Sequence, residues 1–379
     1  MSVNDALTAQ GMATFHRRSV KAVVQGIGHI NALLRRMIKG KQIKWSGYGD
    51  SFDWYVRKLD ETAEWNSGQL ATRTFEEKDP IDKASLDYCF VDRTYGVSEK
   101  SIKTNRAGGI AKIYDIQKEN ARVAQSAMYR AITEALYSNS DGTVANGPAG
   151  LRTICGNPYE STNIAMAANL TYGGIANTST SAISSYAAGK TSFTNKYWAP
   201  ECIGIVEMPH PVSAGDKWSS DCLESLEFMS VAMSRTKDVS GTGKIVRPDL
   251  ALMDVDPFNA MWAKHITYKG AGGPINLSDN DFDKVGIKNL IVAGITAVYD
   301  ENVPDDTAAG GSGYEIVFVV DSKAFVIETL NSKSEGLIEG QWKGNDNPEI
   351  TGGVGVYKGN MGLRIDSPVC AGAIVGCHD

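Results

Sequence analysis

Residues 115–142 read DIQKENARVAQSAMYRAITEALYSNSDG, and the folding of this stretch governs the fold as a whole. Val123, Ala124, Ala127, Met128, Ala131, Ile132, Ala135 and Leu136 follow one another at steps of one and three, which draws a narrow apolar stripe along one side of a helix. Asp115 is a fitting N-cap, and the turn formers from Ser138 to Gly142 end the helix. The pattern predicts a helix over 115–138, roughly 35 Å long at 1.5 Å per residue. Alanines on its buried side would let it lie close against a sheet, as a backbone of the fold and not as a catalytic element.

Downstream, ANGPAGLRTICGN at 145–157 is a Gly/Pro-punctuated turn into an apolar strand. Residues 159–190, rich in Ser, Thr, Ala, Asn and Gly, read as loop or weak strand. A second helix is expected near 218–236, where Trp218, Cys222, Leu226, Met229 and Met233 fall at steps of three and four. Asp256-Pro257 opens a third helix, with Phe258, Met261, Trp262 and His265 on one side. His265 shares that apolar stripe and reads as a packed histidine. The last third is β-rich: NLIVAGITAVYD (289–300), YEIVFVVD (314–321), KAFVIET (323–329) and MGLRIDSPVCAGAIVG (361–376) are dominated by Val, Ile, Phe and Tyr. Asp321-Ser322-Lys323 joins two of these runs as tightly as a hairpin would. Helices and strands mix without regular alternation, so the fold class is α+β.

Upstream of the long helix the character changes. Trp45, Tyr48, Phe52, Trp54, Tyr55 and Trp65 crowd into a short stretch interleaved with glycines and acids. Charged neighbours make this a poor core, and it reads as an extended hairpin whose aromatics meet a partner, or as a curled hairpin packed on its own domain. Residues 14–39 carry helical spacing from Val20 to Ile38, weakened by Gly26 and Gly28. Net charge is −6 over 379 residues. Residues 1–50 hold eight basic and two acidic groups, or +6, which leaves −12 for the remainder. A basic arm on an acidic body suits contact with something negative, either nucleic acid or another copy's acidic face.

Chemical motifs fail on inspection. Gly189-Lys190-Thr191 resembles the end of a phosphate loop, but Ser184 stands where the first glycine is required and Pro200 follows too soon for a helix. SGTGK at 240–244 lacks dinucleotide-loop spacing, and GGSG at 310–313 is not a nucleophile elbow. Asp279, Asp281 and Asp283 alternate like calcium ligands, but Lys284 and Leu290 occupy the positions that need Gly and Glu. The six cysteines are scattered and read as buried free thiols. No catalytic, cofactor or metal site emerges. No apolar run approaches the roughly 20 residues of a membrane span, and the opening MSVNDALTAQ does not have the pattern of a secretory signal.

Taken in order, these parts resemble a tailed-phage major capsid protein of the Hong Kong 97 type. The stretch at 115–142 resembles that family's spine helix, and GPAGLRTI the turn that leaves it. KIVRPDLALMDVDPFNAMWAKH (244–265), AGITAVYDENVPDD (293–306) and EIVFVVDSKAFVIET (315–329) are similar to its axial-domain segments, and GLRIDSPVCAGAIVG (362–376) to its last peripheral strand. The resemblance implies an N-terminal arm over 1–40, an extended loop with flanking strands over 41–100, and a peripheral domain over 101–200 with the spine helix at 115–138. A mainly axial domain over 201–345 and a C-terminal return to the peripheral domain over 346–379 complete it. It implies a non-enzymatic subunit that assembles in the host bacterial cytoplasm, as pentamers and hexamers, into the icosahedral head of a virion around double-stranded DNA, without sequence-specific binding. Portal, scaffold and decoration proteins are implied partners. The chain shows no long scaffolding-like leader, so a separate scaffold or a removed leader is expected. Arg17, Arg18, Arg35, Arg36, Trp45, Trp54, Tyr55 and Trp65 are the expected self-assembly contacts. An encapsulin-type cargo shell and a soluble α+β enzyme are the alternatives.

Overall fold

The computed structural model describes residues 31–45, 49–57, 81–98, 109–140, 147–155, 169–178, 198, 200–204, 218–234, 246–270, 282, 288–303, 316–331, 333, 337–343, 352–375 and 377. In chain order the elements are α1 (Ala32–Lys39), β1 (Ile43–Trp45), β2 (Ser51–Arg57), β3 (Ile81–Asp87), β4 (Cys89–Ser98), α2 (Gly109–Ala135), α3 (Leu151–Ile154), β5 (Asn169–Tyr172) and β6 (Ile175–Thr178). They continue with β7 (Glu201–Gly204), α4 (Trp218–Ser234), β8 (Leu250–Met253), α5 (Val255–Gly270), β9 (Asn289–Val292), β10 (Ile295–Tyr299), β11 (Ile316–Val320), β12 (Phe325–Thr329), β13 (Ile338–Lys343), β14 (Gly352–Ile365) and β15 (Ala371–Val375). The chain forms two compact units: Met1–Ser51, Asp87–Gly150 and Val326–Arg364 make the first, and Phe52–Leu86, Leu151–Phe325 and Ile365–Asp379 the second.

The first unit is built on a five-stranded sheet in which β1, β12, β14 and β13 are neighbours in that order and β4 also pairs with β14. The long helix α2 packs on β4. It starts at Gly109, so Asp115 is a helix residue and not its N-cap. Ala121, Ala124, Gln125, Met128, Ile132, Thr133, Leu136 and Tyr137 are buried, whereas Val123 is 62% exposed and Ala127 is exposed as well. The 3.6-residue period explains the difference: Val123 and Ala127 are each about 100° around the helix from their neighbours Ala124 and Met128, so a one-and-three pattern overstates the buried side. At the helix exit, a Cβ on Gly150 would lie 2.4 Å from the Ser138 nitrogen and 2.6 Å from the Ala135 carbonyl oxygen. Only glycine permits that approach. The Ser138 and Ser140 hydroxyls donate to the Pro148 and Gly147 carbonyls across the same turn.

The end of the expected arm is part of this unit's interior. Asn31 caps α1 by accepting from the Leu34 amide at 2.8 Å, and Leu33, Leu34 and Met37 are fully buried. β1 then runs parallel to β12, pairing Ile43 with Ile327. Glu328, buried on β12, accepts from Arg364 at 2.8 Å, with Lys44 3.5 Å away.

The second unit holds a six-stranded mixed sheet ordered β7, β15, β11, β8, β10, β9. Every residue of β8, β11 and β15 is buried, which accounts for their unbroken apolar sequences. Helices α4 and α5 pack on each other, with the Trp218 indole donating to the Pro257 carbonyl at 2.8 Å. Trp218, Cys222, Leu226, Met229 and Met233 are all buried, as their spacing predicts, and so are Phe258, Met261 and His265.

Two expectations are corrected here. Asp321-Ser322-Lys323 is not a hairpin turn, because β11 and β12 lie in different sheets. Both edges of β11 are taken, by β8 and β15. The link is a short 3-10 turn (Ser322–Ala324) held by Asp249, whose carboxylate accepts from the Ser322 amide and hydroxyl, both at 2.7 Å. Residues 151–154, expected as an apolar strand, form the short helix α3 instead. Within residues 346–379, β14 lies in the first unit's sheet up to Arg364, and β15 lies between β7 and β11 in the second unit.

Candidate assembly surface

Among the described residues, β2 and β3 form a two-stranded ribbon; residues 58–80 lie outside the described part. Along β2 the side chains alternate: Phe52, Trp54 and Val56 are buried, Ser51, Asp53 and Tyr55 exposed. On β3, Ala84 and Leu86 are buried and Ile81 and Lys83 exposed. The period of two puts Asp53 and Lys83 on the side opposite the buried residues.

The inner side is anchored within the second unit. Trp54 stacks near Phe52 (6.0 Å between ring centroids), Tyr172 (5.9 Å) and Trp198 (6.4 Å). Tyr172 and Trp198 are themselves stacked at 5.9 Å. The cluster is held by its polar handles: the Trp198 indole donates to the Tyr172 carbonyl at 3.1 Å, and the Tyr172 hydroxyl accepts from the Ile365 amide at 3.0 Å. The turn from β5 to β6 supplies the other wall. Gly173 and Gly174 have φ of +60° and +74°, the left-handed pair of a two-residue hairpin. Gly173 is so close that a Cβ there would be 3.0 Å from both Ala84 and Trp54, while its carbonyl accepts from the Ser85 amide at 2.9 Å.

The outer side carries Tyr55, 74% exposed, and Ile81, 47% exposed, together with an ion pair between Lys83 and Asp53 at 2.7 Å. The hydrogen bond from Lys83, then one from Ser85, lowers the Asp53 pKa below its ordinary value. Among the described residues, this surface carries an exposed aromatic, an exposed aliphatic side chain and paired charge. Among the described residues no cluster of His, Cys, Asp and Glu could hold a metal, and no helix is long and apolar enough to cross a membrane.

The expected contact residues fare differently. Tyr55 faces outward. Trp54 is 7% exposed, with its ring beside Phe52, Tyr172 and Trp198. Trp45 is half-buried on β1, and Arg35 and Arg36 are half-buried on α1. Arg17, Arg18 and Trp65 lie outside the described residues, as do Gly189-Lys190-Thr191 and Asp279, Asp281 and Asp283. The anchors Tyr172 and Trp198 were not anticipated. The dipeptide Gly173-Gly174 after Leu170-Thr171-Tyr172 is the available signal, a hairpin turn inside a stretch that reads as loop or weak strand, of which β5 and β6 are the strands.

No protein-family model matches the sequence, and no curated protein matches it. Solved structures do. The capsid asymmetric unit of cyanophage A-1(L) is similar over 89% of this chain and 91% of that one, at 15% identity and a TM-score of 0.54. The fold is that of Hong Kong 97-type capsid proteins. The capsid of Myoviridae phage XM1 is similar over 90% of each chain, at 10% identity and a TM-score of 0.50. The holo-SrpI encapsulin complex of Synechococcus elongatus is similar over 91% of this chain and 88% of that one, at 10% identity and a TM-score of 0.49.

Proposed function

We propose that this chain is the major capsid protein of a tailed double-stranded DNA phage and that it acts without catalysis. Copies associate as pentamers and hexamers and close into an icosahedral head in the host bacterial cytoplasm, with scaffold, portal and decoration proteins as further partners. The observation that carries this reading is the agreement of fold with a phage capsid over 89% of this chain and 91% of the other. The ribbon supports it: an element anchored on one side and open on the other suits a contact completed by a neighbouring copy. Tyr55, Trp45, Trp65 and the arginines Arg17, Arg18, Arg35 and Arg36 are the proposed contact residues, with Trp54 holding the ribbon in place from beneath. The acidic remainder of the chain disfavours tight grip on packaged DNA, consistent with enclosure without sequence-specific binding.

Size-exclusion chromatography followed by negative-stain microscopy, at low and high salt and with added scaffold or host lysate, tests the proposal. Closed shells or rings of five and six subunits are the expected result. A chain that stays monomeric under all these conditions would sink it. Shells recovered from the host filled with protein cargo and lacking DNA would favour the encapsulin alternative.

A further inference from the structure

All six cysteines are buried and unbridged, and two of them meet. Cys155 follows α3 directly, its amide closing the last turn onto the Leu151 carbonyl at 2.8 Å. Cys202 lies on β7, the edge strand of the six-stranded sheet, paired on one side with Ala373 of β15. The Cys202 thiol donates to the Cys155 carbonyl at 3.5 Å across 47 positions of sequence. The two side chains also interact with each other: the Cys155 pKa is pushed well above its ordinary value, first by the hydrogen bond with Cys202 and then by burial. Cys155 is 0% exposed and Cys202 8%, so Cys202 is the less deeply buried residue of the pair.

We infer that Cys155 and Cys202 are a redox-active dithiol, able to close into an intrachain disulfide that ties α3 to the edge strand of the six-stranded sheet. The oxidant is a small disulfide such as oxidised glutathione. The Cys202 thiolate attacks one of its sulfurs, forming a mixed disulfide and releasing one reduced thiol. The Cys155 thiolate then attacks the Cys202 sulfur, closing the Cys155–Cys202 bond and releasing the second thiol. The two protons lost by the cysteines end on the two released thiols, so two cysteines are oxidised and one small disulfide is reduced. A covalent tie across so long a stretch of chain restricts the unfolded state strongly. In a reducing cytoplasm the pair stays open. On the proposed function, the occasion for closure is release into an oxidising exterior, where disulfides persist.

The chemistry does not require assembly, so its test separates from that of the proposed function. The purified full-length chain is incubated with oxidised glutathione, alkylated in denaturant, digested and mapped by mass spectrometry without reduction. The expected result is a Cys155–Cys202 linked peptide, two hydrogens lighter than its parts, with Cys89, Cys222, Cys370 and Cys377 still alkylated. The unfolding temperature should rise by several degrees and fall back on adding dithiothreitol, and Cys202→Ala should abolish both effects. Full alkylation of both cysteines after prolonged oxidation, a mixed disulfide on Cys202 that never closes, or linkage to a different cysteine would each overturn the inference. The wild-type map alone decides the matter if the variant does not fold.

Discussion

The six-stranded sheet and the β2–β3 ribbon belong to the same unit and satisfy their apolar residues in opposite ways. In the sheet, β8, β11 and β15 are buried throughout, and each has neighbours on both edges. The ribbon has two strands, too few to stand alone in water. It borrows a wall from Tyr172, Gly173 and Trp198 and leaves Tyr55 and Ile81 uncovered. One region is complete within the chain. The other is complete on one side only, and the uncovered side is where a neighbouring copy is proposed to bind.

The sharpest way to break this comparison is at the centre of the sheet. Phe318 is fully buried on β11, and Phe318→Asp would place an uncompensated charge there. The expected outcome is no folded soluble protein, read by expression and circular dichroism. At the ribbon, Trp54→Ala should cost about 3–5 kcal/mol if the aromatic cluster anchors it. Hydrogen exchange should then quicken in β2 and β3 while β8 and β11 keep their protection. Equal loss in both regions would mean that the ribbon and sheet unfold as one.

Tyr55→Ala separates the two sides of the ribbon. The isolated subunit should change by no more than about 0.5 kcal/mol, as for an exposed position, while assembled shells should dissociate at lower temperature or lower denaturant. Unchanged shells would remove Tyr55 from the contact. The smallest effect concerns Asp53. Its pKa is lowered from 3.8 in the folded state, so its contribution is fully present above 3.8 and is lost as pH falls through the lower folded value. The pair is solvent-exposed and the effect modest. Urea midpoints of wild type and Asp53→Asn, compared at about pH 5 and about pH 3, should converge at the acid end.

The legible part of the fold was the part with a strong period. The helices at 218–234 and 255–270 and the apolar strands followed from spacing alone, since their burial is dense enough to mark nearly every turn or position. The long helix was found, yet its buried side was misjudged at Val123 and Ala127, because alanine and valine lie on both sides and composition does not say which faces β4. In the sequence of the ribbon, acids between aromatics argue against a core, whereas in a strand they lie on the other side, so Asp53 is outside and Phe52 and Trp54 are inside. The path from β11 to β12 was not legible, because a short link between apolar runs looks the same whether the strands pair or part. What separates them is Asp249, distant in sequence, gripping Ser322. The anchors Tyr172 and Trp198 escaped for the same reason: their role exists only once Trp54 reaches them from far upstream.

The aromatic cluster beneath the ribbon has an optical consequence. Two indoles whose centres are 6.4 Å apart, with Tyr172 within 6 Å of each, are close enough for their excited states to couple and to give a strong near-ultraviolet circular dichroism signal. That signal depends on Trp54 and Trp198 keeping their mutual angle of 34°. The molecule therefore carries its own gauge of the ribbon's seating, legible in unlabelled protein.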